Sequence, residues 1–566
     1  MSGHEVMMPK RVKGLLVSQV GYEQGALKRA LRRSTARDAH LDDAAWQIYR
    51  EAGGPPIDEG RLRYWGACWG SHWWVADFDE VTETGSFRLK VKGEPPSDVF
   101  DVGDDLLWER CFDWMALSQL ERRQELTERK LGWMDAGGTW TESNSQSVTV
   151  IALLELLEDT PNGLDEATRR RLGEQVDNGL GYLALCQDTA VERGEGDGAL
   201  CHMITRKMPD YVDRCIAPDA AKAAVAWAMD ARLRGDRVDV REDTLARAER
   251  ALRWCLSMEP EGRLGFNHHQ RGLPESYEPP AGQWPTRELL MRAWACVELA
   301  GAERPGYAAQ ASELIDAALG RQADVSEAID GLHGFFFEFD DRHHAEPSWA
   351  HQIVDGVIGI DAGATYPQWV DPIARFIKAW PDHPRTPVYL DALRRYTLGY
   401  LKPACERNPF GLAPQLLHRE HGLLNFVGPW HGMNCIYGLT ARLLLELEDL
   451  LKVDGLRKLA MGNLQWIAGL NAGLTPEGLA GCFLSSPDTV PGVALPVSMI
   501  HGVGRRWAGG WTTIRGSVCN GFAVGRQFHF DVPVDAAVDG PHQFTDEDWL
   551  PHAVAFLTGL SRWRVR

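Results

Sequence analysis

The chain has 566 residues, more than one hydrophobic core usually serves, so two domains are expected. Apolar residues make up 44% and charged residues 25%, the balance of a soluble globular protein rather than a disordered one. The 79 acidic against 60 basic side chains leave a net charge of −19, the wrong field for a nucleic-acid or anionic-membrane partner. No stretch approaches the roughly 18 apolar residues of a membrane span, and Met1–Gly14 lacks a leader-like apolar run, so a cytoplasmic protein is expected. The 11 cysteines show no C-x-x-C spacing, so neither a disulfide framework nor a zinc ribbon is predicted.

Short extended segments come first. Lys13–Val20 and Leu27–Arg33 flank a Gly-Tyr-Glu-Gln-Gly turn, followed by Ala45–Arg50, His72–Phe78 and Ser86–Val91. In the last of these, Phe87, Leu89 and Val91 alternate with Arg88 and Lys90, which lays one face on a core and the other in water. Such strands, punctuated by Gly and Pro, predict a small β-sandwich over 12–100, with Gly93–Ser97 as the connector out of it.

From 104 to 566 the period becomes helical. Leu107–Lys130, Ser147–Glu158, Asp165–Cys186, Pro218–Leu233, Asp243–Met258, Arg287–Ala300 and Ala308–Leu319 read as amphipathic helices. Tyr366–Trp380, Pro387–Leu401, Met433–Leu451, Gly455–Leu470 and Trp549–Ser561 continue the series. Thr386-Pro387 supplies a capping hydroxyl and then proline at the first helical position. Asn471–Gln543 is Gly-rich and largely non-helical, and loops of that length inside a domain are usually functional. About a dozen helices without a short repeat motif predict closure into six hairpins, an all-α (α/α)6 barrel, rather than a solenoid.

Several motifs in this order carry a resemblance. Ser18-Gln-Val-Gly-Tyr22 with Leu27-Lys-Arg-Ala30, and Trp74-Val-Ala-Asp-Phe78 with Gly85-Ser-Phe-Arg-Leu-Lys-Val91, resemble an immunoglobulin-like domain that precedes many bacterial glycosidases. Gly132-Trp-Met-Asp135-Ala-Gly-Gly138, Arg407-Asn-Pro-Phe-Gly411, Trp466-Ile-Ala-Gly-Leu-Asn471 and Glu547-Asp-Trp-Leu-Pro-His-Ala-Val554 are similar to segments of glycoside hydrolase family 9. The resemblance spans more than 500 residues. It implies an immunoglobulin-like sandwich followed by an (α/α)6 catalytic barrel that acts on a carbohydrate substrate.

Inverting hydrolysis of an acetal needs two carboxyl groups about 6.5–9.5 Å apart, one giving a proton to the leaving oxygen and one taking a proton from water. The resemblance implies Glu547 as the general acid and Asp135 as the base or water-binding carboxylate. It also exposes a gap, because the family's second aspartate is replaced here by Gly138. Asp135 alone, Glu142 from the next turn, or a barrel that no longer hydrolyses remain as readings, with Glu142 expected to be a solvated or capping carboxylate. A carbohydrate-binding protein and a lyase-like enzyme acting on uronic-acid sugars are the alternative functions.

The 22 tryptophans serve as core filler or as flat floors on which the apolar face of a pyranose stacks. Trp133, Trp140, Trp284, Trp349, Trp430 and Trp511 are the candidates, with His431 beside Trp430. His501 and Arg505 stand where relatives grip the sugar with a histidine and arginine cluster. His343-His344 beside Asp340 and Asp341 reads as a polar loop, since no metal-ligand spacing accompanies it, and neither a metal nor a cofactor is predicted.

Overall fold

The computed structural model describes residues 14–565 except 35, 70, 136–140, 160–163, 205–214, 236–237, 261–279, 346–351, 355–356, 361–369, 420–421, 426–433, 472–499, 504–512, 519–520, 523–543 and 546–548. The N-terminal part holds β1 (Gly14–Leu16), β2 (Tyr22–Glu23), β3 (Arg29–Ser34), β4 (Ala45–Arg50), β5 (Asp58–Arg61), β6 (Arg63–Cys68), β7 (Ser71–Asp77), β8 (Gly85–Val91) and β9 (Phe100–Gly103). They form two sheets, ordered β1-β3-β7-β6 and β2-β9-β8-β4-β5, in which only the β2–β9 pairing is parallel. Alternation sets the faces as expected: in β8, Phe87, Leu89 and Val91 are buried while Ser86 and Lys90 face water. Trp46, Ile48, Leu31 and Trp73 are buried, and Trp73 packs edge to face on Phe410 of the helical part, with centroids 5.1 Å apart.

Gly93–Ser97 is not the way out of the sandwich. The Ser97 N–H donates to the Leu89 carbonyl at 2.8 Å, and its hydroxyl oxygen accepts from the Leu89 N–H at 3.0 Å, so the segment folds back along β8. The chain then adds β9 before it leaves. A strand of four residues is too short to show a period in the sequence.

The helical part begins with α1 (Leu106–Phe112) and α2 (Gln119–Leu126), joined by a wider π-type stretch over Asp113–Ser118. It continues through α3 (Ser143–Asp159), α4 (Glu166–Glu192), α5 (Ala217–Leu233), α6 (Val238–Ser257), α7 (Thr286–Gly301) and α8 (Tyr307–Leu319). Next come α9 (Asp371–Ala379), α10 (Thr386–Tyr396), α11 (Asn434–Leu451), α12 (Leu456–Ile467) and α13 (Pro551–Arg564). Helices α3, α5, α7, α9, α11 and α13 pack side by side in a closed inner ring, each α13 neighbour included. Helices α4, α6, α8, α10 and α12 back their inner partners, and the α1–α2 stretch backs α13.

Inner helices are not amphipathic in the ordinary sense. Every residue of α5 from Ala217 to Ala231 is buried, as is α13 from Pro551 to Leu560, because a ring helix has neighbours on all sides. Small residues permit the closest crossing: a Cβ placed on Gly438 in α11 would lie 2.4 Å from the Ala555 carbonyl of α13.

The ring closes electrostatically toward the C-terminal ends of α3 and α7, where the short α9 contributes its first residue Asp371 and α11 its central Arg442. Arg375 Nη2 reaches Glu155 at 2.9 Å, its Nη1 reaches Glu158 and Glu298 at 3.2 Å, and its Nε reaches Asp371 at 2.7 Å. Arg442 joins Asp159 at 2.6 Å and Glu155 at 3.3 Å. These pairs line a cavity of about 430 Å³.

The Ser18–Tyr22 turn fastens the sandwich to the barrel. Val20 N–H donates to the Ala468 carbonyl at 2.8 Å, and Gln465 Nε2 donates to the Gly21 carbonyl at 2.9 Å. Glu23 accepts from the Leu107 N–H at 2.7 Å, capping the first barrel helix from the other domain. No helix of the described residues is long and apolar enough to cross a membrane.

Candidate active site at the N-terminal end of the ring

Opposite the ion-pair network, the inner helices present their N-termini, where unpaired N–H groups favour negative charge. Asp135 lies here. The chain reaches it through Gly132, whose φ of +68° suits glycine and whose missing side chain leaves room for the Tyr182 ring, 2.8 Å from where a Cβ would sit. Three residues then hold this segment in place. Gln146 bonds both the Trp133 N–H (2.8 Å) and its carbonyl (2.9 Å), and Asn178 Oδ1 accepts from the Gly132 N–H at 3.0 Å. Arg123, held by Gln119 at 2.7 Å, donates to the Met134 carbonyl at 2.8 Å and to that of Asp135.

The Asp135 carboxylate is 1% exposed. Ser145 Oγ, at the start of α3, donates to its Oδ2 at 2.8 Å, and the Leu550 N–H, at the start of α13, approaches its Oδ1 at 3.4 Å. It therefore bridges the first and last helices of the ring. Burial pushes its pKa from 3.8 to about 6, only partly offset by Ser145, Arg123, the Leu550 N–H and the Trp549 side chain. His552, in the first turn of α13, accepts from the Cys435 N–H at 2.9 Å and is held neutral, its pKa lowered to about 3 by burial and by Arg123.

Around the rim, the Ser143 N–H donates to the His202 carbonyl at 2.7 Å, and its hydroxyl reaches Asp219 at 3.2 Å. His202 Nδ1 meets Asp219 at 2.7 Å, and its Nε2 lies 3.9 Å from Glu142. Of the two expectations for Glu142, a solvated carboxylate does not hold, since its side chain is only 15% exposed; the residue stands directly before α3, where its carbonyl accepts from the Gln146 N–H at 3.1 Å. Further round, Glu288 in the first turn of α7 is 1% exposed, and neither of its carboxylate oxygens has a hydrogen-bond partner among the described residues. Burial raises its pKa against the pull of Arg292, Arg287 and Lys222.

Among the rings expected to floor a cleft, Trp133 is instead core. It is fully buried, its Nε1 donates to Gln175 at 2.8 Å, and its indole fills the space that a Cβ on Gly179 would invade at 2.5 Å. Trp284 is half-buried beneath the Arg292 guanidinium, 3.9 Å from its ring centre. Trp140, Trp349, Trp430, Trp511, His431, Arg505, Gly138 and Glu547 lie outside the described residues. His501 is described for its backbone alone, in a strand over Ile500–Val503 where it pairs with Ser517.

His343 and His344 meet edge to face, with centroids 4.2 Å apart, and no group able to hold a metal occurs among the described residues. Ser145, His202, Asp219, Lys222 and Glu288 were not singled out in the sequence. Their signal is polarity at the head of an apolar helix, as in Ser143-Asn-Ser-Gln-Ser147 before Val148–Leu154.

Residues 11–95 match the family described as "Cellulase N-terminal ig-like domain". A metagenome-derived glycoside hydrolase family 9 endoglucanase superposes with a TM-score of 0.63 at 18% identity, over 98% of this chain and 99% of that one. A Bacteroides ovatus GH9 protein gives 0.58 at 15% identity over 98% and 99%, and AaCel9A in complex with cellobiose-like isofagomine gives 0.60 at 16% over 97% and 99%. Comparison with the curated proteins finds no match. The chain has the two-domain fold of the family-9 glycoside hydrolases: an immunoglobulin-like β-sandwich followed by an (α/α)6 barrel.

Proposed function

We propose that the protein is a glycoside hydrolase that cleaves a carbohydrate with inversion, Asp135 taking the proton from water and Glu547 protonating the leaving oxygen. The observation that carries this reading is Asp135 itself, a carboxylate buried where two inner helices begin and brought to a pKa of about 6. A general base works best when its pKa lies near the working pH, and an ordinary aspartate is too weak. Chain geometry supports the pairing. Glu547 precedes Leu550 by three residues, a span of at most about 10 Å between α-carbons, and the Leu550 N–H already touches Asp135. A carboxyl separation of about 6.5–9.5 Å is within that reach.

The likeness to endoglucanases and to a protein that binds a cellobiose-like isofagomine favours a glucan-type oligosaccharide as substrate. Trp140, Trp430, His431, His501 and Arg505 are proposed to hold it. One observation favours a second reading: Gly138 removes a carboxylate, which leaves a sugar-binding barrel without turnover.

Release of reducing ends from a panel of oligosaccharides and aryl glycosides separates the two. Hydrolysis by the native protein, lost in Glu547→Gln with the circular dichroism unchanged, supports the enzyme. Full activity in that variant overturns the assignment, and binding without turnover by the native protein establishes the second reading.

A further inference from the structure

Cys201 and Cys215 face each other across an isolated antiparallel β-bridge. Residues opposed in this way have α-carbons about 4.5 or 5.5 Å apart, both within the 4.4–6.8 Å that a disulfide spans. The two thiols are in hydrogen-bonding contact, and this contact and burial push the Cys215 thiol up. Cys215 is partly exposed, whereas Cys201 is buried with the Arg193 guanidinium 3.9 Å from its sulfur. Part of Cys215 thus meets solvent, and the buried Cys201 thiol is in contact with its sulfur. That arrangement suits a two-step thiol exchange.

We propose that Cys201 and Cys215 are a dithiol that closes to a disulfide by exchange with a small-molecule disulfide such as oxidised glutathione. Because its raised thiol is seldom ionised, Cys215 exchanges slowly at neutral pH and faster in base. The Cys215 sulfur loses its proton to solvent and attacks one sulfur of glutathione disulfide, whose S–S bond breaks to release one glutathione thiolate. The Cys201 sulfur then attacks the mixed disulfide at Cys215, forming the Cys201–Cys215 bond and expelling the second glutathione, which leaves as a thiol with the Cys201 proton. The protein loses two electrons and two protons, and the glutathione disulfide gains both electrons.

The position gives the bond a consequence. His202 follows Cys201 directly and Asp219 lies four residues beyond Cys215 in the first turn of α5, so the staple ties together the two segments that carry the His202–Asp219 pair. This proposal does not depend on the hydrolytic reading.

The test equilibrates the native full-length protein in glutathione buffers of graded redox poise, quenches it in acid, alkylates under denaturing conditions and maps peptides without reduction. A peptide joined through Cys201 and Cys215 is expected, rising to most of the protein at the oxidising end and reversed by excess reduced glutathione. In Cys201→Ser the exchange is expected to stop at a glutathione adduct on Cys215, and Cys186→Ala, at the buried neighbour whose carbonyl accepts from the Cys201 N–H at 3.3 Å, keeps the cross-link. Two alkylated cysteines at every poise, or a cross-link through Cys186 instead, overturns the proposal; the native-protein mapping stands even if a variant fails to fold.

Discussion

Replacing Asp135 by asparagine tests the central claim through stability as well as activity. Burial moves the Asp135 pKa from 3.8 to about 6, and at about 1.4 kcal/mol per unit its ionisation costs the folded state ~3 kcal/mol. The sign follows from proton binding. Between pH 4 and 6 the folded state holds this proton while the unfolded chain has lost it, so the contribution to stability falls as pH rises through that window and is flat above it. Asparagine has no such ramp. Its amide oxygen can accept the Leu550 N–H and its NH2 can donate to the rotatable Ser145 hydroxyl, so its own cost is independent of pH. The variant is therefore expected to gain ~3 kcal/mol on the native protein between pH 4 and pH 7, read from urea unfolding of the barrel transition at each pH. In the same series the native kcat/KM is expected to fall as pH drops through about 6, and the variant loses turnover. A stability difference that does not change with pH refutes the burial argument, and turnover retained in the variant refutes the role.

The opposite end of the ring gives predictions of the other sign. Arg375→Met leaves Glu155, Glu158, Glu298 and Asp371 without their shared cation and is expected to cost ~3–5 kcal/mol, visible as a lowered urea midpoint; a loss under ~1 kcal/mol refutes the closure role. Burial alone raises Glu158, yet Arg375, Arg232 and Arg442 override it and bring its pKa to about 2; at Glu446, likewise, Lys378, Arg442 and Arg562 prevail over burial, again to about 2. Their stabilisation is complete above about pH 4.5 and is lost as pH falls toward 2, so far-UV circular dichroism is expected to show barrel unfolding in that acid range. Gly438→Ala forces a methyl to 2.4 Å from the Ala555 carbonyl and is expected to lower stability by at least ~1–3 kcal/mol, whereas Gly306→Ala, with nothing within 4 Å, is expected to stay within ~0.5 kcal/mol. Equal melting temperatures for those two variants count against the packing argument.

Architecture was legible in the sequence because period and length survive in the chain. The alternation of Phe87, Leu89 and Val91 predicted its sheet face, and the helix over Met433–Leu451 appears at Asn434–Leu451. Position within the ring was not legible, since a helix in contact on all sides, such as α5, differs from an amphipathic one only by a few alanines in place of polar residues. Trp133 shows the same limit at the site. A tryptophan beside a conspicuous aspartate reads as a sugar platform, but only the neighbouring Gly179 reveals that its ring fills the gap between α3 and α4. Ser145, Asp219 and Glu288 escaped notice for a related reason. Each is a short-range cap or first-turn acid by sequence, and becomes part of one rim only when non-consecutive helices meet.

The two ends of the ring use the same side chains for opposite purposes. At the C-terminal end each carboxylate meets a guanidinium or ammonium, which turns a desolvation cost into attraction and pulls Glu158 and Glu446 down to about 2. At the N-terminal end the nearby cations, Arg123 for Asp135 and Arg292, Arg287 and Lys222 for Glu288, do not outweigh burial, and both carboxyls are pushed up instead. Helix termini stabilise negative charge by only about 0.3–1 kcal/mol, less than burial removes, so this arrangement is a net cost to the fold. A cost of ~3 kcal/mol at one aspartate is a sizeable share of the stability of an ordinary domain. A sequence optimised for stability alone would carry asparagine or serine at 135; an aspartate held near pKa 6 is what the proposed proton transfer near neutral pH requires.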